Sequence, residues 1–295
     1  MNGDVFLAER FDAERPHLRA VAYRMLGSLS ESEDAVQETW LKLDRSDVSG
    51  VKNLGAWLTT VVGRVCLDML RSRTTRREDP LTEPDDRVRI PDPVISGLPA
   101  TDPEQGALIT DSVGIALMVV LETLSPAERL AFVLHDMFDV PFDEIAPLLG
   151  RTSASTRQLA SRARRRVRGA TPPADTDVTR KRDVVDAFLR AARGGDFDAL
   201  LAVLDPAITA RSDGGTLLPC HTRRGAGDVA SQAITFARYA LDARVVLVNG
   251  SPGVVSYGEN GRPLSVMSFT IRHGRITALD ILTDPTRLAT LPLPA

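Results

Sequence analysis

The chain has 295 residues, 43% hydrophobic and 25% charged, which is long for one helical domain and supplies apolar residues for two or three separate cores. Its net charge of −3 argues against free, avid DNA binding by phosphate neutralisation alone, and no apolar run approaches the roughly 20 residues of a membrane span. Cys66 and Cys220 lack metal-ligand spacing, and an amino terminus that mixes Asp4, Glu9 and Arg10 with apolar residues is unlike a signal peptide, so a cytoplasmic protein without cofactor is expected.

Leu18, Val21, Ala22 and Met25 repeat at helical spacing up to Gly27. Ser30 and Glu33 read as a capping box for a helix from Glu31 to Leu43. On it Val36, Trp40 and Leu43 form an inward stripe, whereas Asp34, Glu38 and Leu41, with Gln37 beside them, form an outward acidic and apolar stripe suited to docking on a protein. A long helix is expected from near Leu54 to Arg77, with Trp57, Val61, Val65 and Met69 along its buried side. Arg64, Arg71, Arg73, Arg76 and Arg77 give it a basic surface. Pro80, Pro84, Pro91, Pro93, Pro99 and Pro103 then forbid a continuous helix, so residues 79–106 read as a linker.

Helical periodicity resumes with Leu117, Val120, Leu121 and Leu124, and Ser125, Pro126 and Glu128 open a capped helix carrying Leu130, Val133, Leu134 and Met137. Phe142, Ile145 and Leu149 bury a short helix, Gly150 turns the chain, and Thr152 caps a second helix, which is a helix-turn-helix pattern. Pro147 interrupts the first of these helices, a defect worth up to about 3 kcal/mol unless the helix kinks. Thr156, Ala160, Ala163 and Val167 face inward on the second. Ser153, Ser155, Arg157 and Gln158 then face base edges, and Arg162, Arg164, Arg165, Arg166 and Arg168 are placed to reach phosphates. Arg151 to Arg168 holds seven arginines and no carboxylate, so the basic footprint is local.

Residues 171–177, with Pro172 and Pro173, read as a second linker. A helix from Lys181 to Arg193 and the segment Asp198 to Leu204 precede β-type runs at Ile208 to Arg211, Arg244 to Asn249, Gly253 to Tyr257, Leu264 to Arg272 and Arg275 to Leu282. His273 and Gly274 join the last two as a hairpin, and the whole indicates an α+β domain with a curling antiparallel sheet. Asp213, His221 and His273 are the groups available for acid–base chemistry, which keeps an enzyme as one alternative; Asp213 before two glycines and His273 in a hairpin also read as turn residues. A ligand-sensing helix-turn-helix regulator is another, but it leaves the acidic stripe and the Asn53 to Arg77 helix without a role.

AYRMLGS at Ala22 to Ser28, EDAVQETWLKL at Glu33 to Leu43 and NLGAWLTTVVGRVCLDMLR at Asn53 to Arg71 resemble domain two of bacterial extracytoplasmic-function sigma factors, and Leu124 to Arg168 resembles their domain four. The last domain is similar to the cone-shaped SnoaL-like fold that a subgroup of these factors carries as a fused extension. The resemblance implies a multidomain protein, not an enzyme: two all-α sigma domains at 1–78 and 107–170, the second with the helix-turn-helix, followed by an α+β SnoaL-like domain at 178–295. It implies that Asp34, Gln37, Glu38 and Leu41 bind core RNA polymerase at the β′ clamp, that domain four meets the β flap, and that Asn53, Arg64, Asp68 and Arg71 hold the −10 promoter element open. Ser153, Ser155, Arg157, Gln158, Arg162 and Arg165 would contact the −35 element. Pro80 and Pro84 occupy the place of a proline-containing linker motif that usually has a tryptophan. Asp213, Gly214 and Gly215 resemble a glycine-rich motif, and Asp284 and Pro285, with Arg287 and Leu288, a terminal motif; all imply regulation in cis by the extension, which itself has room for an unnamed small-molecule ligand.

Overall fold

In a computed structural model of the chain, the described residues are 2–48, 50–76, 89–96, 114–170, 177–259 and 261–293. They form two compact units, Met1–Thr82 with Val120–Ala170, and Glu83–Val119 with Thr171–Ala295.

The first unit is helical. Helix α1 (Asn2–Leu26) stops where Gly27 takes a φ of 65°, and α2 (Leu29–Asp44) begins two residues later with Ser28 at its N-cap position. That early start makes Ser30 a helical residue, so the expected Ser30–Glu33 capping box does not form; Ser28 makes no side-chain cap, and Ser32 Oγ donates to the Ser28 carbonyl instead. Helix α3 spans Leu54–Arg76. Its buried stripe is Leu54, Leu58, Val62, Val65, Cys66 and Leu70, whereas Trp57, Val61 and Met69 are only half-buried. The expected core stripe is therefore displaced by about one position, because a second helical layer also covers α3: a Cβ on Gly63 would lie 3.0 Å from Leu134.

That layer comprises α4 (Ile115–Glu122), whose last residues belong to this unit, α5 (Pro126–Phe132) continuing into a π-helical turn (Val133–Met137), α6 (Phe142–Leu149) and α7 (Ser153–Ala170). The capping box at α5 forms as expected: Ser125 Oγ accepts from the Glu128 N–H, and the Glu128 carboxylate accepts from the Ser125 N–H. Arg129, 2% exposed, joins the layers; its Nε donates to the Arg24 carbonyl at 3.1 Å and its Nη2 to Glu122 at 3.0 Å. His17 and the Arg24 guanidinium both pack on the Phe138 ring. Pro147 sits on the exposed side of α6, and the Arg151 N–H closes the helix end on the Ala146 carbonyl around Gly150, φ 62°. The donor that Pro147 lacks would have served the carbonyl of Asp143 at the exposed start of the helix, where the loss costs less than it would in a buried helix interior.

The second unit is a seven-stranded sheet of order β1-β4-β5-β6-β7-β2-β3: β1 (Ile95–Ser96), β2 (Leu204–Asp213), β3 (His221–Arg224), β4 (Asp242–Val248), β5 (Ser251–Tyr257), β6 (Pro263–Arg272) and β7 (Arg275–Leu282). Helices α8 (Val178–Gly194), α9 (Phe197–Val203), α10 (Ala226–Ala237) and the short α11 (Pro285–Leu288) complete it. The sheet is mixed rather than antiparallel, since β2 runs parallel to β7; β2 enters after a helix pair, so no hairpin turn dictates its direction. His273 and Gly274, φ 51° and 74°, make the expected two-residue turn between β6 and β7. Neither β3 nor α10 is among the expected elements, although Val229, Ala230 and Ala233 repeat at helical spacing in α10.

Both sheet faces are covered, which explains why β5 and β6 are nearly continuously buried. One face packs Val185, Phe188, Leu200 and Val229 of the helices on Ile208, Phe269 and Leu279. The other packs Ile90, Ile95, Ile115, Val119 and Leu288 on Val246, Val255, Val266 and Leu282. Residues 89–96, expected to be linker, are thus a strap contributing core residues: the prolines hold the segment extended, and an extended segment fits a sheet edge. The rest of that linker, with Pro80 and Pro84, the Ser49 position and residues 171–176 lie outside the described residues.

Candidate nucleic-acid interface

The rotation of α7 is fixed from its first turn. Thr152 Oγ1 accepts from the Ser155 N–H at 3.2 Å, and Thr156, Ala160 and Ala163 are fully buried, with Val167 half-buried further along. Arg157, Gln158, Arg162 and Arg165 consequently project into solvent along one basic face. Ser153 and Ser155 are half-buried; Ser153 donates to Asp143, and Arg151 approaches Ser155 at 3.5 Å. The Arg157 guanidinium lies 5.6 Å from the centre of the Phe142 ring, which is itself half-buried.

Two of the arginines expected to reach phosphates also pair with carboxylates. Arg164 pairs with Asp136 at 2.5 Å and Arg166 with Glu128 at 3.1 Å, because the helix packs over the capping box and the π-helical turn that carry those carboxylates. Glu128 therefore serves both the α5 cap and α7.

On α2 the outward stripe is as expected: Asp34, Gln37, Glu38 and Leu41 are exposed, while Val36 and Leu43 are buried and Trp40 meets Phe11 edge-on at 5.1 Å. Glu38 pairs with Lys42 at 3.1 Å. On α3 Arg64, Asp68 and Arg71 share an exposed face, with Asp68 4.0 and 3.7 Å from the two guanidinium groups; such loose surface pairs are worth little. Asn53 caps α3 by accepting from the Ala56 N–H at 3.1 Å. Arg73 is withdrawn from the basic surface, since it binds Glu31 and the Leu26 carbonyl.

In the sheet unit the glycine-rich and terminal motifs come together around the strap. Asp213, 3% exposed, accepts from the Ile90 N–H and Arg287 Nη1, each at 2.8 Å, and from the Gly215 N–H at 3.0 Å. Arg287 also binds Asp92 and the Ile90 carbonyl. Asp284 caps α11 through the Thr286 and Arg287 N–H groups, which aims Arg287, and Pro285 begins that helix. Gly215 has a φ of 68°, and a Cβ there would lie 2.1 Å from Asp284 Oδ2; a Cβ on Gly214 would meet Leu218 at 2.5 Å. Both glycines are steric necessities of the clamp. Farther along the strap, Val94 and Asn249 exchange two bonds, Asn249 N–H to the Val94 carbonyl and Val94 N–H to Asn249 Oδ1.

Sequence reasoning passes over Asp92 and Asn249. The Asn249–Gly250 pair, φ 47° and 73°, is a two-residue hairpin turn between β4 and β5 and was legible as such; Asp92 carries no local signal, because its partner Arg287 is 195 residues away. The acid–base candidates do not converge: Asp213 is tied to Arg287, His221 is exposed on an edge strand and His273 sits in a turn.

Comparison with known proteins agrees with the order of these parts. The model of Sigma-70 region 2 matches residues 10–76 and that of Sigma-70, region 4 matches residues 115–167. The chain is 38% identical over 298 residues to the ECF RNA polymerase sigma factor SigJ of Mycobacterium tuberculosis, covering 96% of this chain and 93% of that one. A probable ECF RNA polymerase sigma factor, SigI, of the same species is 34% identical over 282 residues, covering 94% and 92%. The crystal structure of M. tuberculosis SigJ superposes with a TM-score of 0.77 at 34% identity, covering 97% of this chain and all of that one. With two sigma regions in order and a likeness that runs on through the sheet unit, the chain belongs to the extracytoplasmic-function RNA polymerase sigma factors and acts as an alternative sigma factor in promoter-directed transcription initiation.

Proposed function

We propose that the outer face of α2, centred on Asp34, Gln37, Glu38 and Leu41, docks on the β′ clamp of core polymerase, that Asn53, Arg64, Asp68 and Arg71 hold the −10 element, and that α7 reads the −35 element while its layer meets the β flap. The observation that carries this reading is the basic face of α7: Arg157, Gln158, Arg162 and Arg165 are exposed on one side of the helix, while Arg164 is half-buried against Asp136. Side chains in the first turns of such a helix read bases, and cations farther along neutralise phosphate. The overall charge of −3 then fits a protein whose remaining affinity for DNA is supplied by the polymerase.

The two sigma regions pack together through Arg129, yet two promoter elements about 25 base pairs apart are separated by roughly 85 Å along B-DNA. Contact with both therefore requires the helical unit to open. The strap offers the control: it lies in the stretch between the two regions, and Asp213, Arg287 and Asn249 fix it to the sheet unit. Regulation in cis by the C-terminal unit follows, by setting how much chain is available between the regions.

The test is transcription in vitro with purified core polymerase, together with promoter titrations. Reversing Asp34 and Glu38 to Lys lowers polymerase affinity with native circular dichroism retained. Arg157→Ala relaxes preference at one or two −35 bases, a loss of about 1 to 3 kcal/mol on the matched promoter, whereas Arg165→Ala weakens all sequences alike. Equal losses on matched and mismatched promoters for both arginine variants would remove the base-reading role.

A further inference from the structure

We propose that the cavity between the helices and the sheet in the C-terminal unit is a binding site for a small carboxylic acid with a monocyclic aromatic or similarly compact apolar body. The cavity has a volume of about 140 Å³. An apolar cavity of about 150 Å³ holds one benzene molecule, so a single ring fits. Phe188, Phe236, Met267 and Leu279 supply an apolar lining.

The polar lining selects the head group. Arg193, Arg211 and Arg223 line the cavity, and among the described residues no Asp or Glu does. Arg211 is engaged by Asp280 at 2.9 Å, whereas among the described residues Arg193 donates only to the neutral Ala243 carbonyl. The site therefore carries an excess of positive charge at its polar edge and an apolar interior, which matches a single anion on a hydrocarbon body. A second observation also points to an occupant. Ser256 lines the same cavity, is 1% exposed, and its Oγ has no hydrogen-bond partner among the described residues; buried hydroxyls are otherwise nearly always paired.

The cavity wall adjoins the clamp. Ala210, Arg211 and Ser212 of β2 line the cavity and Asp213 follows them directly, while Thr283 lines it and donates to the Asp213 carbonyl. The inference rests on the sheet unit alone and stands apart from the assignment of the DNA and polymerase faces.

Isothermal titration of the full chain with benzoate tests it, with benzyl alcohol and acetate as the neutral ring and the ringless anion. Benzoate saturates one site, and both controls bind at least about tenfold more weakly. Arg223→Ala, at an exposed side chain, weakens benzoate about tenfold without moving the unfolding midpoint, and Ser256→Val weakens it measurably. Ala233→Trp fills the cavity and abolishes binding while near-native circular dichroism is retained. The proposal is overturned if benzoate does not saturate a site, if benzyl alcohol binds as tightly, or if folded Ala233→Trp or Arg223→Ala binds like the parent chain.

Discussion

Asp280 lies on β7 with its side chain 1% exposed, and its environment acts on it in two directions. Burial raises its pKa above the ordinary 3.8, and the charge and hydrogen bond of Arg211 draw it back only in part. A carboxyl whose folded pKa is raised binds more protons in the folded state, so its contribution to stability is present below the unfolded value and is lost as pH rises through the folded one. Urea midpoints measured at increasing pH from about 4 upward should therefore show the parent chain losing ground relative to Asp280→Asn; a difference that stays flat or widens in the parent's favour contradicts this balance. At the same scale, the Cys66 thiol is buried and pushed up by desolvation, so it behaves as a small hydrophobe. Gly215 shows a different kind of residue-level demand, because its backbone conformation and the approach of Asp284 both exclude a side chain.

Among the elements, α5 carries the most cross-layer structure. Its capping box fixes Glu128, which also holds Arg166 of α7, and the next residue, Arg129, reaches the Arg24 carbonyl of α1 and the Glu122 carboxylate of α4. A buried guanidinium with these partners is costly to disrupt on one side only, since the remaining carboxylate and carbonyl lose their donor. Arg129→Ala is expected to destabilise the helical unit by about 3 to 5 kcal/mol, read as a lower urea midpoint for the loss of helical signal. Arg157→Ala, on the exposed face of α7, should leave that midpoint within about 0.5 kcal/mol of the parent value. A small effect at Arg129 would mean that packing around Gly63 and Leu134, rather than this hub, holds the two layers together.

At the scale of the whole molecule, the strap links the chain between the sigma regions to the carboxyl-terminal unit. Arg287 binds Asp92, the Ile90 carbonyl and Asp213 at once, so Arg287→Ala should release residues 90–94 from the sheet. Hydrogen exchange at the Ile90 and Val94 amides reads the release directly, and promoter-dependent transcription should change in the same variant while the DNA-facing side chains are untouched. If exchange rises and transcription on all promoters stays at the parent level, control through the strap is wrong. If exchange does not rise, Asn249 and the buried Ile90 and Ile95 suffice to hold it.

The sequence by itself determined the elements whose signals are local. Thr152 and Gly150 fix the helix-turn-helix, Ser125 and Glu128 fix a helix start, the Asp34 to Leu41 stripe follows from helical period, and His273–Gly274 fixes a hairpin. Only the tertiary structure decided what depends on distant partners. The buried side of α3 shifted because a second layer packs at Gly63, the Ser30 cap was lost because α2 starts at Leu29, and Arg164 and Arg166 were claimed by carboxylates of another helix. The same holds for the strap: its prolines specify an extended chain, but whether that chain is a solvated linker or an edge strand depends on a sheet formed more than a hundred residues later, and on Arg287 near the end of the sequence. Local propensity sets the conformation of a segment, and burial against partners remote in sequence sets its place.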